Sequence, residues 1–136
     1  MITYDYTFRV AYPDTDQMGT MHHANYAKYY ELARWEMFRS IGIPYKSLEA
    51  SGVMCPVVRM NSRFIKTTRY DEMLTLRTIL REVKGLRMWF DYKLYNEKGE
   101  LIHTAETELT FVGRDDWKLC MPPAFLLEKI SEAVGE

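Results

Sequence analysis

Ala24-Asn-Tyr-Ala-Lys-Tyr-Tyr-Glu-Leu-Ala-Arg-Trp-Glu-Met-Phe-Arg-Ser-Ile41 is the stretch on which the fold turns. Its apolar positions Tyr26, Tyr30, Ala33, Met37 and Ile41 recur at steps of three and four, the spacing of one helical face. Gly42 suits the end of a helix and Pro44 blocks its continuation. Tyr29, Leu32, Trp35 and Phe38 widen the apolar arc, so a helix covered on more than one side is expected. Upstream, Thr3 to Tyr12 alternates Tyr4, Tyr6 and Phe8 against Thr3, Asp5 and Thr7, which predicts a strand. Downstream, a loop runs through Gly52, and four long strands are predicted at Val57–Ile65, Met73–Val83, Arg87–Tyr95 and Leu101–Val112. The clearest alternation puts Leu86, Met88, Phe90, Tyr92 and Leu94 on one face and Arg87, Asp91 and Lys93 on the other. Lys84-Gly85 and Asn96-Glu-Lys-Gly99 read as the hairpin connections. Pro122-Pro123 opens a short helix, Ala124 to Ala133, with Phe125, Leu126, Lys129 and Ile130 inward.

One strand, one long apolar helix and an antiparallel meander make an α+β order within a single domain, residues 1–136. A lone helix cannot cover both faces of a sheet of about five strands. The economical arrangement curls the sheet around the helix and buries the remaining surface against another subunit, which predicts a homo-oligomer.

With 47% of residues apolar, the chain can bury a core and is not a disordered segment. A formal charge of −1 excludes binding that works by neutralising nucleic-acid phosphates. No apolar run reaches membrane-spanning length. Met1-Ile-Thr-Tyr-Asp-Tyr-Thr7 lacks the basic and apolar regions of a secretion signal, so a cytoplasmic location is expected. Cys55 and Cys120 show neither metal-ligand nor redox spacing and read as reduced thiols.

The chemistry points to Tyr12-Pro-Asp-Thr-Asp-Gln-Met-Gly-Thr-Met-His-His-Ala-Asn-Tyr26. Two carboxylates, Asp14 and Asp16, stand in a turn-forming run that leads through Gly19 and a histidine pair into the helix. Unpaired N–H groups and the positive dipole end there favour a developing anion. An acid or base beside such donors is the minimum equipment for hydrolysing an activated acyl group. Asp16 could instead be a simple loop or cap carboxylate. Asp14 reads as structural, shaping the loop through an Asx-turn. His22 and His23, adjacent on a helix, would point about 100° apart and chelate one metal poorly, so no metal site is expected. Glu31 and Arg34, three apart, suit a surface ion pair. No Gly-x-Ser-x-Gly elbow or phosphate-binding glycine loop is present.

Tyr12-x-Asp14-Thr15-Asp16-x-x-Gly19, followed by His23, Tyr26 and Tyr30-Glu-Leu-Ala-Arg34, resembles the signature of hot-dog-fold acyl-CoA thioesterases. The resemblance is to the 4-hydroxybenzoyl-CoA thioesterase type, a group that includes short-chain thioesterases associated with the Tol-Pal system. It implies a sheet curled around one central helix, a dimer or tetramer, no cofactor, and coenzyme A as part of substrate and product. By position, Asp16 matches the catalytic carboxylate, and His23 the residue whose backbone N–H binds the thioester carbonyl. Tyr12 and the His23 side chain match secondary active-site positions, and Glu31 matches a helical carboxylate used by some members. Gly19 and His22 are expected at the substrate. Thr20-Met21-His22 departs from the group's pattern beside the carbonyl, which bears on acyl specificity. Arg81, Lys84 and Arg87 cluster where members bring basic residues to the nucleotide, making Lys84 and Arg87 candidates for its phosphates. Alternatives are an acyl-carrier-protein thioesterase, a hot-dog dehydratase and a non-catalytic acyl-binding module.

Overall fold

The computed structural model describes residues 1–135. Strands β1 (Ile2–Arg9), β3 (Val57–Phe64), β4 (Met73–Lys84), β5 (Arg87–Tyr95) and β6 (Leu101–Thr110) form one sheet, ordered β1-β4-β5-β6-β3 and antiparallel throughout. Helix α1 (Tyr26–Ser40) packs on one face of it, chiefly against β1 and β4. Helix α2 (Tyr45–Ser51) and the two-stranded β2 (Val53–Met54) with β7 (Val112–Gly113) cap one end, and α3 (Ala124–Val134) closes the chain. None of these helices is long and apolar enough to cross a membrane.

The alternation in β5 does what its spacing dictates. Met88, Phe90, Tyr92 and Leu94 are buried against the helix, joined by Leu74, Leu76 and Leu80 of β4. Tyr30 stacks on Tyr92 with centroids 4.5 Å apart, Phe8 on Tyr29 at 4.0 Å, and Phe38 meets Phe90 edge-on at 5.8 Å. Each such side chain contributes roughly 1.5–3 kcal/mol by leaving water. The outer face is laced by ion pairs, Arg77 with Asp5 and Arg81 with both Asp91 and Glu106.

The expected boundaries shift where local chemistry intervenes. β1 ends at Arg9 because Tyr12–Asp14 turns as a 3-10 helix with Pro13 in its first turn. The helix begins at Tyr26, after a separate 3-10 turn His23–Asn25, rather than at Ala24. Gly42, at φ +89°, ends it: the Ile43 N–H reaches the Phe38 carbonyl at 2.8 Å and the Gly42 N–H that of Arg39 at 3.1 Å. Helix α2 occupies what was expected to be loop, bounded by Pro44 and the left-handed Gly52. The β4–β5 turn residues are Gly85 and Leu86, with Lys84 paired to Arg87. β6 stops at Thr110, and Val112 pairs with β2 instead. Leu126 is the fully buried residue of α3, whereas Lys129 lays its stem near Gly42.

β3 is an edge strand with every residue exposed, including Val57, Val58, Met60 and Phe64. An apolar exposed edge is a template for pairing with another chain.

Candidate active site

The loop between β1 and α1 is built as a small platform. Thr15 bridges Met21, the Asp16 N–H donates to the Thr20 carbonyl at 2.9 Å, and the Gly19 N–H donates to the Asp16 carbonyl at 3.0 Å. Closing this turn needs the left-handed backbone of Gly19, φ +78°, where an added Cβ would also press on Arg69 Nη1 at 3.2 Å. Gly19 thus serves loop shape. The Met21 N–H donates to the Thr68 carbonyl at 2.8 Å, and Val10 exchanges backbone hydrogen bonds with Asp71 and Glu72. These contacts fix the loop at the Met73 end of β4.

Asp14, 7% exposed, staples the loop to the helix. Its Oδ1 lies 2.6 Å from Lys28 Nζ, and its Oδ2 accepts from the Tyr29 hydroxyl. Its carbonyl accepts from the His22 N–H and Asn25 Nδ2, both at 2.9 Å. Burial pushes the Asp14 pKa up, but the hydrogen bonds from Lys28 and Tyr29 outweigh it and hold the carboxyl below its ordinary value. Burial and the neighbouring Asp14 charge push Tyr29 up to about 12, so its hydroxyl remains a donor. Asp14 is therefore structural, but not through an Asx-turn: its partners are helix side chains fourteen and fifteen residues away. The Asx-type contact belongs to Asp16, whose Oδ1 accepts from the Met18 N–H at 2.9 Å.

The rest of the half-buried Asp16 carboxylate is lightly held. The Thr20 N–H and Oγ1 approach Oδ1 at 3.4 Å, and Thr20 Oγ1 approaches Oδ2 at 3.5 Å. Oδ2 thus keeps its acceptor capacity for water or substrate. On the helix side, His22 is an extended cap whose Nδ1 accepts from the Ala24 N–H at 3.1 Å. The Asn25 N–H is taken by the His22 carbonyl at 3.0 Å. Among the described residues the His23 N–H, first of the 3-10 turn, has no partner. The two histidine side chains do not diverge, because His22 precedes the turn and His23 begins it. Their exposed rings stack at 4.2 Å. Tyr12, 72% exposed, packs edge-on against Tyr70 at 5.5 Å.

Glu31 is exposed, further along α1, and lines two cavities of about 470 and 350 Å³. It forms no ion pair with Arg34, which turns inward instead. Lys84 and Arg87 lie at the other end of the sheet: eleven residues along β4 from Met73 is roughly 36 Å at strand rise. Arg87 Nη1 already holds Glu108 at 2.8 Å, beside Trp89 Nε1 on the same carboxylate at 3.0 Å. Lys84 has no ion-pair partner among the described residues. One chain therefore gathers Tyr12, Asp14, Asp16, Gly19, His22 and His23 at one end and leaves Lys84 and Arg87 remote. No group of three His, Cys, Asp or Glu among the described residues could hold a metal ion.

Sequence reasoning missed the support beneath the helix start. His103 of β6 is fully buried, stacked on Tyr26 at 4.3 Å and met edge-on by Phe64 at 4.6 Å. Its Nδ1 is hydrogen-bonded to the Tyr30 hydroxyl. Burial pushes His103 down to about 4, so the ring is neutral and acts as packing. The available signal was the inward register of residue 103 opposite Leu94.

A five-stranded antiparallel sheet holding one long helix is the hot-dog fold, and the proteins this chain is similar to make it an enzyme of the thioester-hydrolase class. The model of the Thioesterase-like superfamily matches residues 10–130, and the chain belongs to that family. It is 33% identical over 109 residues to the Bacillus subtilis (strain 168) protein YneP, covering 80% of this chain and 79% of that one. It is 34% identical over 98 residues to the acyl-CoA thioester hydrolase YbgC of Shigella flexneri, covering 72% and 73%. The crystal structure of DHNA-CoA thioesterase from Staphylococcus aureus superimposes with a TM-score of 0.92 at 31% identity, covering 98% of this chain and 92% of that one.

Proposed function

We propose that the protein hydrolyses acyl-CoA thioesters to the free acid and CoA, with Asp16 as general base or nucleophile and the His23 N–H polarising the thioester carbonyl. The observation that carries this is the pairing, on one anchored loop, of a lightly held carboxylate with a first-turn amide that lacks a partner. As a base, Asp16 takes a proton from water while the hydroxide adds to the carbonyl carbon. The tetrahedral oxyanion collapses, and CoA leaves as the thiolate and takes up the proton. As a nucleophile, Asp16 forms a mixed anhydride and expels CoA thiolate, and water then cleaves the anhydride. In either route the N–H bond strengthens as negative charge develops on the oxygen, which is what lowers the barrier. Neither route calls on a metal or redox cofactor. The motif Tyr12-x-Asp14-Thr15-Asp16-x-x-Gly19 supports placement in the 4-hydroxybenzoyl-CoA thioesterase and Tol-Pal-associated group. Single turnover in H₂¹⁸O tests the nucleophilic route: label appearing in Asp16 means an anhydride opened at the Asp16 carbonyl, whereas label in the product acid alone fits either the base or an anhydride opened at the acyl carbonyl.

The working unit is a homodimer or a pair of dimers, with sites near the interface. The exposed apolar edge β3 and the distance from Asp16 to the β4–β5 hairpin support this, since a second copy can bring its own hairpin to the nucleotide. Sedimentation should show at least a dimer at micromolar concentration. A stable, active monomer would contradict it.

If Lys84 and Arg87 hold CoA phosphates, replacing both by Ala should raise KM for acyl-CoA and leave acyl-pantetheine, which lacks the nucleotide, nearly unaffected. Equal losses on both substrates would show that the Arg87–Glu108 pair serves the fold instead.

A further inference from the structure

Arg34 is 8% exposed. A guanidinium stays protonated in any protein environment, and a buried charge without a counterion is costly. No carboxylate among the described residues pairs with it, although Glu31 lies one turn before it. Its hydrogen bond runs from Nη1 to the Tyr92 hydroxyl at 2.9 Å, and that hydroxyl is shared with Thr107 Oγ1 at 2.7 Å. Both partners are neutral. Cys55, nearby, is no counterion either, because burial pushes its thiol up to about 12. Nε and Nη2 of Arg34 have no protein partner and are not sealed off, since the sealed unpartnered side-chain atoms are Thr78 Oγ1 and His103 Nε2. Arg34 lines a cavity of about 350 Å³, together with Ala27, Tyr30, Glu31, Cys55 and Thr107.

Residues 27, 30, 31 and 34 form one stripe of α1, so this cavity lies along the helix, its lining beginning at Ala27, four residues beyond His23. Residue 34 lies about 15 Å along the axis from residue 24, and a long helical side chain leans back about one turn. The gap left is roughly 10 Å, the reach of an acyl group of about six to eight carbons or of an aromatic ring with a short tether. We propose that Arg34 is a specificity residue for the acyl group, taking an acidic oxygen, carboxylate or phenol, at the end remote from the thioester. This rests on the thioester-hydrolysis reading above. A carboxylate supplies the missing counterion. A phenol accepts from Arg34 and can donate to Glu31 at the cavity wall.

The test is titration calorimetry with unhydrolysable CoA thioethers in matched pairs: S-(5-carboxypentyl)-CoA against S-hexyl-CoA, and S-(4-hydroxybenzyl)-CoA against S-benzyl-CoA. At least one oxygen-bearing member should bind wild-type protein about tenfold more tightly than its plain partner, the strength of one charge-assisted hydrogen bond. Which pair shows the preference tells carboxylate from phenol. In Arg34→Met the preference should fall to about twofold or less, with Arg34→Lys between the two. Equal affinities within both pairs on wild-type protein overturn the proposal, with no variant needed. So does a preference that survives in a well-folded Arg34→Met protein. Thiol release from the corresponding thioesters separates the two ideas: release without preference removes Arg34's role alone, and preference without release removes hydrolysis alone.

Discussion

Asp16→Asn is expected to lower kcat by at least about a hundredfold while changing KM much less. The substitution is nearly isosteric, and the amide oxygen can still accept from the Met18 N–H that orients the side chain. The turn should therefore fold. What the amide cannot do is take a proton from water or attack as a carboxylate. Loss of a general base costs roughly 10²–10⁴-fold, and loss of a nucleophile can cost more. The remaining rate would come from the His23 N–H and from substrate binding. Thermal melts must accompany the kinetics, since a collapsed loop would mimic a catalytic defect. A folded Asp16→Asn protein with near-wild-type turnover would remove Asp16 as the catalyst and leave Glu31 or a histidine as the next candidate.

Asp14→Asn is expected to act on stability more than on turnover. The amide has one oxygen, so it can accept from Tyr29 and face Lys28 with its N–H₂, or accept from Lys28 and give up the Tyr29 bond. Losing a buried, charge-assisted bond costs about 2 kcal/mol, which in a domain of this size is a fall of roughly 6–10 °C in Tm. The pH dependence carries the sign of the shift. The folded Asp14 pKa lies below its unfolded value of 3.8. Its stabilising contribution is therefore complete above that pH and is lost as pH falls through the folded value. Urea melts should show the wild type more stable at pH 7 and the gap narrowing below about pH 4. A gap that stays constant or widens on acidification would show that Asp14 does not anchor the loop through its charge.

The two acids also show what a one-dimensional reading can and cannot supply. Spacing reveals α1, β1, β4, β5 and β6 because a period of 3.6 or 2 survives in the sequence wherever one face is buried, whereas β3, exposed throughout, is legible only as part of the strand-like run after Gly52, and α3 through Pro122-Pro123 and its inward Phe125, Leu126 and Ile130. It missed α2, seven residues with a single buried side chain, Leu48, because one buried residue makes no period. It missed β2 and β7 because two-residue strands are defined by their partner. The loop's importance was legible from Asp14, Asp16 and Gly19, but the division of labour was not. Lys28 and Tyr29 reach Asp14 across fourteen and fifteen residues, and the Asx-type bond falls to Asp16. Arg34 read as half of a surface pair with Glu31, because three-residue spacing permits that contact. It says nothing of the competing pull of Tyr92, fifty-eight residues away. His103 was hidden in a strand whose other inward residues are threonine, alanine and leucine.

Thioester hydrolysis at the Asp16–His23 loop is tested most directly by thiol release from acyl-CoAs of graded length, with an aryl-CoA alongside. The assay should be run with EDTA present. The expected result is one CoA thiol released per acid formed, on at least one member, undiminished by the chelator. Thiol release no faster than the uncatalysed rate on every acyl-CoA would contradict it.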